Sequence, residues 1–397
     1  SSAEFVTFKG ITVTNFWDST ADTGLKGGGA VLVNGTTISL TVTNCVFADN
    51  HIWRSEYTAG VSGGAINGGA LDITDSSFVG NTAITGHDET GAGGAIYGKI
   101  VRLENCRFER NAASSRGGAV YASAAIGAPI KDCTFDNNDT SAGMPQRRAP
   151  NYYGVIYVNG GFALENCTFR GNKLYAWLAS MIGANGSIDC RDCTFVDNTT
   201  MYVFGSGNVS VSRCRFTTNQ FLNFNPNTPV LNENCLFVRN SFTERQHYFG
   251  VGPYYNCTFV GNTALNVSGA NGGVFSNGAK LINCIATADN QVNGTAASYT
   301  YYATNCIWNA SGKDLLVGEG NNTTLANDAA IGFVGGTGDD PYAIQKNSPA
   351  RDKGVNVHGY TKKDRDLAGN PRLSFDGLLD IGCYEYLKMP GMMLLLR

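Results

Sequence analysis

One pattern returns along most of this chain: a cysteine, any residue, a phenylalanine, two variable residues and an asparagine. It reads TNCVFADN at 43–50, ENCRFERN at 104–111, KDCTFDNN at 131–138, ENCTFRGN at 165–172, RDCTFVDN at 191–198, SRCRFTTN at 212–219, ENCLFVRN at 233–240 and YNCTFVGN at 255–262. Ser76 replaces the cysteine in one further copy, while Cys284 and Cys306 mark two copies with Ala286 and Trp308 at the phenylalanine position. Phe16, in a matching Thr-Val-Thr-Asn context, is expected to take the cysteine position of the first copy. Successive cysteine positions lie 21 to 34 residues apart. A period of that length fits a solenoid in which each repeat is one coil stacked on the next.

The chemistry inside a repeat says how the coil is built. In Val101-Arg-Leu-Glu-Asn-Cys-Arg-Phe108, Val101 and Leu103 share one period-two face and Cys106 and Phe108 the other. A bend near Glu104-Asn105 is expected to turn both pairs inward. In-register stacking at about 4.8 Å then makes a cysteine column and a phenylalanine column in the interior. The asparagine of each repeat falls where the strand turns, where it tolerates the left-handed backbone region and its amide can bond the next coil. Paired glycines at Gly28-Gly-Ala30, Gly63-Gly-Ala65, Gly93-Gly-Ala95, Gly117-Gly-Ala119 and Gly272-Gly-Val274 mark a second, tighter bend. The fold class expected is all-β, a single-stranded parallel β-helix of about a dozen coils over residues 1–330. Residues 331–397 are expected to form a small β cap on its C-terminal end.

Composition excludes several partners. The 50 glycines and 15% charged residues suit a turn-rich β protein, and net charge −3 without an extended basic cluster argues against nucleic acid. No run approaches the roughly 18 apolar residues of a membrane span. The chain opens on Ser1 rather than Met, which reads as a processed protein.

The GGA motif followed by an aliphatic residue, together with Phe-x-x-Asn, resembles the repeats of chlamydial polymorphic outer-membrane proteins and of bacterial right-handed β-helix repeat proteins. That resemblance covers residues 11–310 and implies a right-handed helix on a secreted or bacterial cell-surface protein. Lys346-Asn-Ser-Pro-Ala-Arg-Asp-Lys-Gly354, Asp366-Leu-Ala-Gly-Asn-Pro-Arg372 and Asp380-Ile-Gly-Cys-Tyr-Glu-Tyr386 are similar to the choice-of-anchor segment that follows such helices. The fold alone implies no single activity, since adhesins, lyases, hydrolases and epimerases share it.

Ten of the twelve cysteines fall in one column, where parallel strands set their Cβ vectors side by side rather than toward each other. Reduced, buried thiols are therefore expected, not disulfides. Cys190 and Cys193 form a CxxC with no second CxxC and no nearby histidine, a weak basis for zinc or redox chemistry. No cofactor is expected; calcium is the one ion that His87-Asp-Glu89 or Gly338-Asp-Asp340 could attract, although neither has the regular Gly/Asp nonapeptide of calcium-loaded β-rolls.

Insertions in a solenoid collect on one side, and the long arcs here are 51–62, 82–92, 139–153 and 173–183. They carry the candidate ligand-binding residues Trp53, Arg54, Glu56, Tyr57, Asp88, Glu89, Arg148, Tyr152, Tyr175 and Trp177. Aromatic faces beside charged groups suit sugar rings and uronate carboxylates. Should the chain be catalytic, His51, His87, Arg147 and Tyr153 are the candidates for base and charge stabiliser. Two readings result: a monomeric extracellular carbohydrate-binding or adhesion protein facing a polysaccharide or cell-surface glycan, or a polysaccharide lyase or glycoside hydrolase on an extended, acidic glycan.

Overall fold

The computed structural model describes residues 4–18, 29–33, 38–54, 61–85, 91–139, 154–174, 180–205, 208–223, 230–242, 252–264, 275, 278–290, 301–309, 316–317, 321–338 and 340–387. The strands are short and pair in parallel from coil to coil, in sheets of 21, 12 and 4 strands. The chain is a right-handed parallel β-helix.

The 12-stranded sheet carries the phenylalanine column. Phe47 pairs with Phe78, Phe78 with Phe108, Phe108 with Phe135 and onward to Phe259, always in register. All nine rings are fully buried. Successive centroids lie 4.6 to 5.1 Å apart with planes within 8° of parallel, a spacing set by the inter-strand hydrogen bonds. Where Ala286 leaves the column short of a ring, Phe275 fills the gap, edge-on to Phe259 at 4.8 Å and tilted against Trp308 at 5.6 Å.

The asparagine ladder runs beside it. Nδ2 of Asn81 donates to Oδ1 of Asn111 at 3.0 Å and to the Phe47 carbonyl at 2.9 Å, and the Asn81 N–H donates to the same Oδ1. The arrangement repeats at Asn50, Asn111, Asn138, Asn172, Asn198, Asn219, Asn240 and Asn262, and ends on Asn290. Each buried amide is thereby satisfied on both sides. The ladder asparagines are not themselves left-handed, contrary to expectation. Positive φ belongs to the residue before the ladder asparagine, such as Asp49, Gly80, Arg110 and Asn137, and to the residue before the cysteine, such as Asn44, Asn105 and Asn166. The ladder residue is fixed by its side-chain bonds instead. The glycine pairs divide their work similarly: Gly63, Gly93 and Gly117 take φ near +65°, while a Cβ on Gly64 or Gly94 would meet the next coil's Gly94 or Gly118 carbonyl oxygen at 2.2 and 2.0 Å.

Two register expectations are corrected. Val13, not a residue after Phe16, pairs with Phe47, so Ile11 holds the cysteine position and Phe16 the ladder position, its N–H donating to Asn50 Oδ1. The first repeat had been shifted because Thr-Val-Thr-Asn occurs twice with different coil phases. Val101 is exposed; a bulge between Ile100 and Arg102 makes it the extra residue, and Ile100 with Leu103 faces the core.

All twelve cysteines are free and buried. Column thiols donate to the carbonyl two residues back, as Cys45 does to Thr43 and Cys133 to Lys131, at 3.3 and 3.1 Å. Thiol titration should therefore show almost no reactive cysteine in the folded protein and all twelve after denaturation; loss of hydrogen mass with no rise on unfolding would mean disulfides.

Beyond the last coil, the described residues of the C-terminal segment lie along the flank of the solenoid. The last ladder contact is Ile307 with Thr323, a 3-10 turn follows at Asp328–Ile331, and the chain then runs back along the outer face of the 12-stranded sheet. Arg215 pairs with Asp340 at 2.7 Å, Asn234 Nδ2 donates to the Arg365 carbonyl, and Asn283 exchanges two bonds with Val355. Leu236 and Val238 pack on Leu367, Cys383 and Tyr384, while Ile285 and Ile307 pack on Ile331, Ile344 and Ile381. Gly382 comes so near that a Cβ there would lie 2.7 Å from Ile285 Cδ1. This strap is irregular, with only isolated antiparallel bridges among its described residues. It covers a flank because the outward positions of the late coils are apolar.

Candidate functional site

After each glycine bend the chain enters a strand with one residue facing in and the next facing out. Ile96, Val120 and Ile156 face the core and are fully buried. Tyr97, Tyr121 and Tyr157 follow in register on the side away from the core; Tyr97 and Tyr121 are half-buried, while Tyr157 is buried at 2% exposure. Their rings stack, with centroids 4.8 and 5.3 Å apart. Glycine at 183 ends the row, since a Cβ there would strike the Tyr157 ring at 2.8 Å. The Arg116 guanidinium lies over the Tyr157 ring at 5.2 Å from its centroid. Tyr157 donates its hydroxyl to Asn185 Oδ1 at 2.9 Å, and Asn185 Nδ2 donates to Asn159 Oδ1 at 2.7 Å. Burial and the neighbouring Tyr121 phenol push the Tyr97 hydroxyl above its usual range, so it stays a neutral donor and acceptor.

This row of phenols, amides and one guanidinium lies on the strands that the long arcs feed. It was not among the sequence candidates. Its signal was present: Ala95-Ile-Tyr97, Ala119-Val-Tyr121 and Val155-Ile-Tyr157 repeat an aliphatic-tyrosine pair after the glycine bend. On the adjoining strand run Arg102 pairs with Asp72, Lys131 with Glu165 and Arg191 with Asp189.

Of the sequence candidates, His51, Trp53 and Arg54 lie within described residues. His51 and Trp53 sit on the outer side of the four-stranded sheet. His51 Nδ1 meets Thr82 Oγ1 at 2.8 Å, and its ring packs edge-on against Trp17 at 5.2 Å. Partial burial lowers the imidazole's pKa against the pull of Asp49, favouring the neutral ring. Trp17 is 64% exposed and Trp53 41%. Trp17 was missed because the first coil was misphased. Arg54 departs from the expected role: alternation turns it inward, where both guanidinium nitrogens grip Asp18 at 2.9 and 3.0 Å and the side chain is buried. A ligand on the outer surface does not reach it there. Glu56, Tyr57, His87, Asp88, Glu89, Arg147, Arg148, Tyr152, Tyr153, Tyr175 and Trp177 lie outside the described residues.

At the calcium candidate Gly338-Asp-Asp340, Asp340 Oδ1 is held by Arg215 at 2.7 Å and by the Tyr384 hydroxyl at 2.8 Å, and Asp339 lies outside the described residues. No helix among the described residues is long and apolar enough to cross a membrane.

Comparison with known proteins agrees with the architecture. Residues 2–174 match the family described as right handed beta helix region. A stretch of 256 residues, 60% of this chain, is 25% identical to metabotropic glutamate receptor-like protein R of Dictyostelium discoideum. The chain spans 14% of that relative's length.

Proposed function

We propose that the flank bearing Tyr97, Tyr121, Tyr157 and Arg116 binds an extended carbohydrate outside the cell. The tyrosine row carries this reading. Tyr97 and Tyr121 stack on the side away from the core at consecutive coils and stay partly exposed, while the buried Tyr157 continues the stack beneath Arg116 and backs the row. A polymer with repeating hydroxyls can follow such a row, with Asn159 and Asn185 offering amide partners beside it. Arg116 adds a cation that would favour uronate or other acidic sugars. The five-coil span of the arcs, about 19 Å at ~4.8 Å per coil, leaves room for a short oligosaccharide. Similarity to part of a receptor-like protein suits a binding module. The proposed binding requires no metal.

The test is a glycan array screen on the whole chain, followed by titration of the best acidic oligosaccharide. Arg116→Gln and Tyr97→Ala should each weaken binding about tenfold, near 1.4 kcal/mol, with the melting temperature little changed. Trp53→Ala is expected to act in the same direction. Parent-like binding by all three variants would overturn the assignment. If the parent instead releases unsaturated uronate products, read by ultraviolet absorbance, the lyase reading replaces binding.

A further inference from the structure

Cys190 is the odd cysteine of the core. It stands in register with Leu164 and Val211, at a position other coils fill with aliphatic side chains. The coil stacking brings it against two members of the cysteine column. The Sγ atoms of Cys190, Cys193 and Cys214 lie within 4.8 Å of one another, and all three residues are buried. Cys190 and Cys214 Sγ are 3.8 Å apart.

The hydrogen bonding sets Cys190 apart from the column. Column thiols donate to a backbone carbonyl, as Cys193 does to Arg191 and Cys214 to Ser212. Among the described residues Cys190 meets no such carbonyl; its thiol faces the Cys214 sulfur. The other two sulfurs also accept backbone donors, as Cys306 does from the Cys284 N–H further along the column: the Cys167 N–H points at Cys193 Sγ and the Cys193 N–H at Cys214 Sγ, both at 3.4 Å. N–H donors directed at sulfur stabilise thiolate, the form that binds metals.

We propose that Cys190, Cys193 and Cys214 form a three-sulfur site for a thiophilic closed-shell divalent ion, sealed inside the solenoid. Three soft ligands around one point suit such a cation better than hard oxygen-seeking ions. Binding converts three thiols to thiolates and releases three protons to solvent, leaving one net negative charge that the two N–H donors face. All three ligands are buried, so the ion enters as the coils assemble and would not exchange through the finished wall. It would tie two successive coils together, Cys190 and Cys193 from one and Cys214 from the next.

The probe is cadmium(II). The whole chain, unfolded under reducing conditions and refolded with cadmium(II), should retain one ion per chain through dialysis against a weak chelator. It should show sulfur-to-cadmium charge-transfer absorbance and a ¹¹³Cd resonance in the three-sulfur range. Cys190→Val, which copies Val211 of the next coil, should fold and lose the ion; Cys190→Ala serves if valine fails to pack. Cys133→Val, in the same column but outside the trio, should keep it. Absence of bound cadmium in the parent, equal retention by folded Cys190 variants, or loss in Cys133→Val would each overturn the site. So would a native mass lower by two hydrogens mapping to a Cys190–Cys214 disulfide.

Discussion

Phe169→Ala should lower the unfolding free energy by about 3–5 kcal/mol. The ring is fully buried in mid-stack, 4.9 Å from Phe135 and 5.0 Å from Phe195. Its neighbours cannot move into the vacated space, because the Phe169 carbonyl accepts from Asn198 Nδ2 and the Phe135 carbonyl from Asn172 Nδ2 at 2.9 and 2.8 Å. Those bonds, with the parallel strand ladder, hold adjacent coils at their spacing, so the cavity persists and its cost is near the upper part of the range for such truncations. Denaturant titration measures the loss. Hydrogen exchange locates it: stability in a solenoid is nearest-neighbour, so protection should fall in the coils of Phe135, Phe169 and Phe195 and less elsewhere. A loss below about 1 kcal/mol would mean the coils collapse around the gap and that the column does not carry the fold.

The second large effect is expected in the strap. Arg372 is fully buried, with Nη2 donating to the Asp380 and Gly382 carbonyls and Nη1 3.1 Å from Glu385. Three buried carboxyls, Asp366, Asp380 and Glu385, gather around this one cation. Burial pushes Glu385 up to about 9, with Arg372 pulling it down and Asp380 adding to the rise; burial likewise raises Asp366 and Asp380. A folded-state value above the unfolded value of about 4.3 means that the folded chain keeps its proton longer. This contribution to stability is fully present below that unfolded value and is lost as pH rises through the folded value, so the strap should loosen steadily between about pH 5 and 9. Glu385→Gln should flatten that slope. Arg372→Met leaves the carboxyls with no buried cation and should cost about 3–5 kcal/mol near neutral pH, with a steeper decline at high pH. Limited proteolysis within 332–387 across the pH range reads the strap directly. A rise in protection with pH would contradict the sign argued here.

The coil was legible because its signals are local and repeated. Cys-x-Phe-x-x-Asn fixed the interior columns and the asparagine ladder, and the paired glycines marked the tight bend, each from residue type and spacing alone. The errors arose where one copy was ambiguous or a bulge added a residue: Phe16 in the first coil and Val101 after Ile100. The strap had a signal too. The residue after the column cysteine is polar in most early coils, Arg107, Thr134 and Thr168, and turns apolar at Leu236, Ile285 and Ile307, where the strap docks.

Of the candidate surface, the sequence determined the arcs and their composition, because a departure from the repeat length is visible in one dimension. It did not determine which outward residues meet. Tyr97, Tyr121 and Tyr157 become one row, and Cys190 reaches Cys214 across 24 residues, only when strand register places successive coils one hydrogen-bonded step apart. The strap's course was decided the same way, by which outer face of the solenoid offered apolar surface to an irregular chain. Periodicity sets what faces in; contacts between coils, which depend on register and on the length of every intervening arc, set what lies side by side outside.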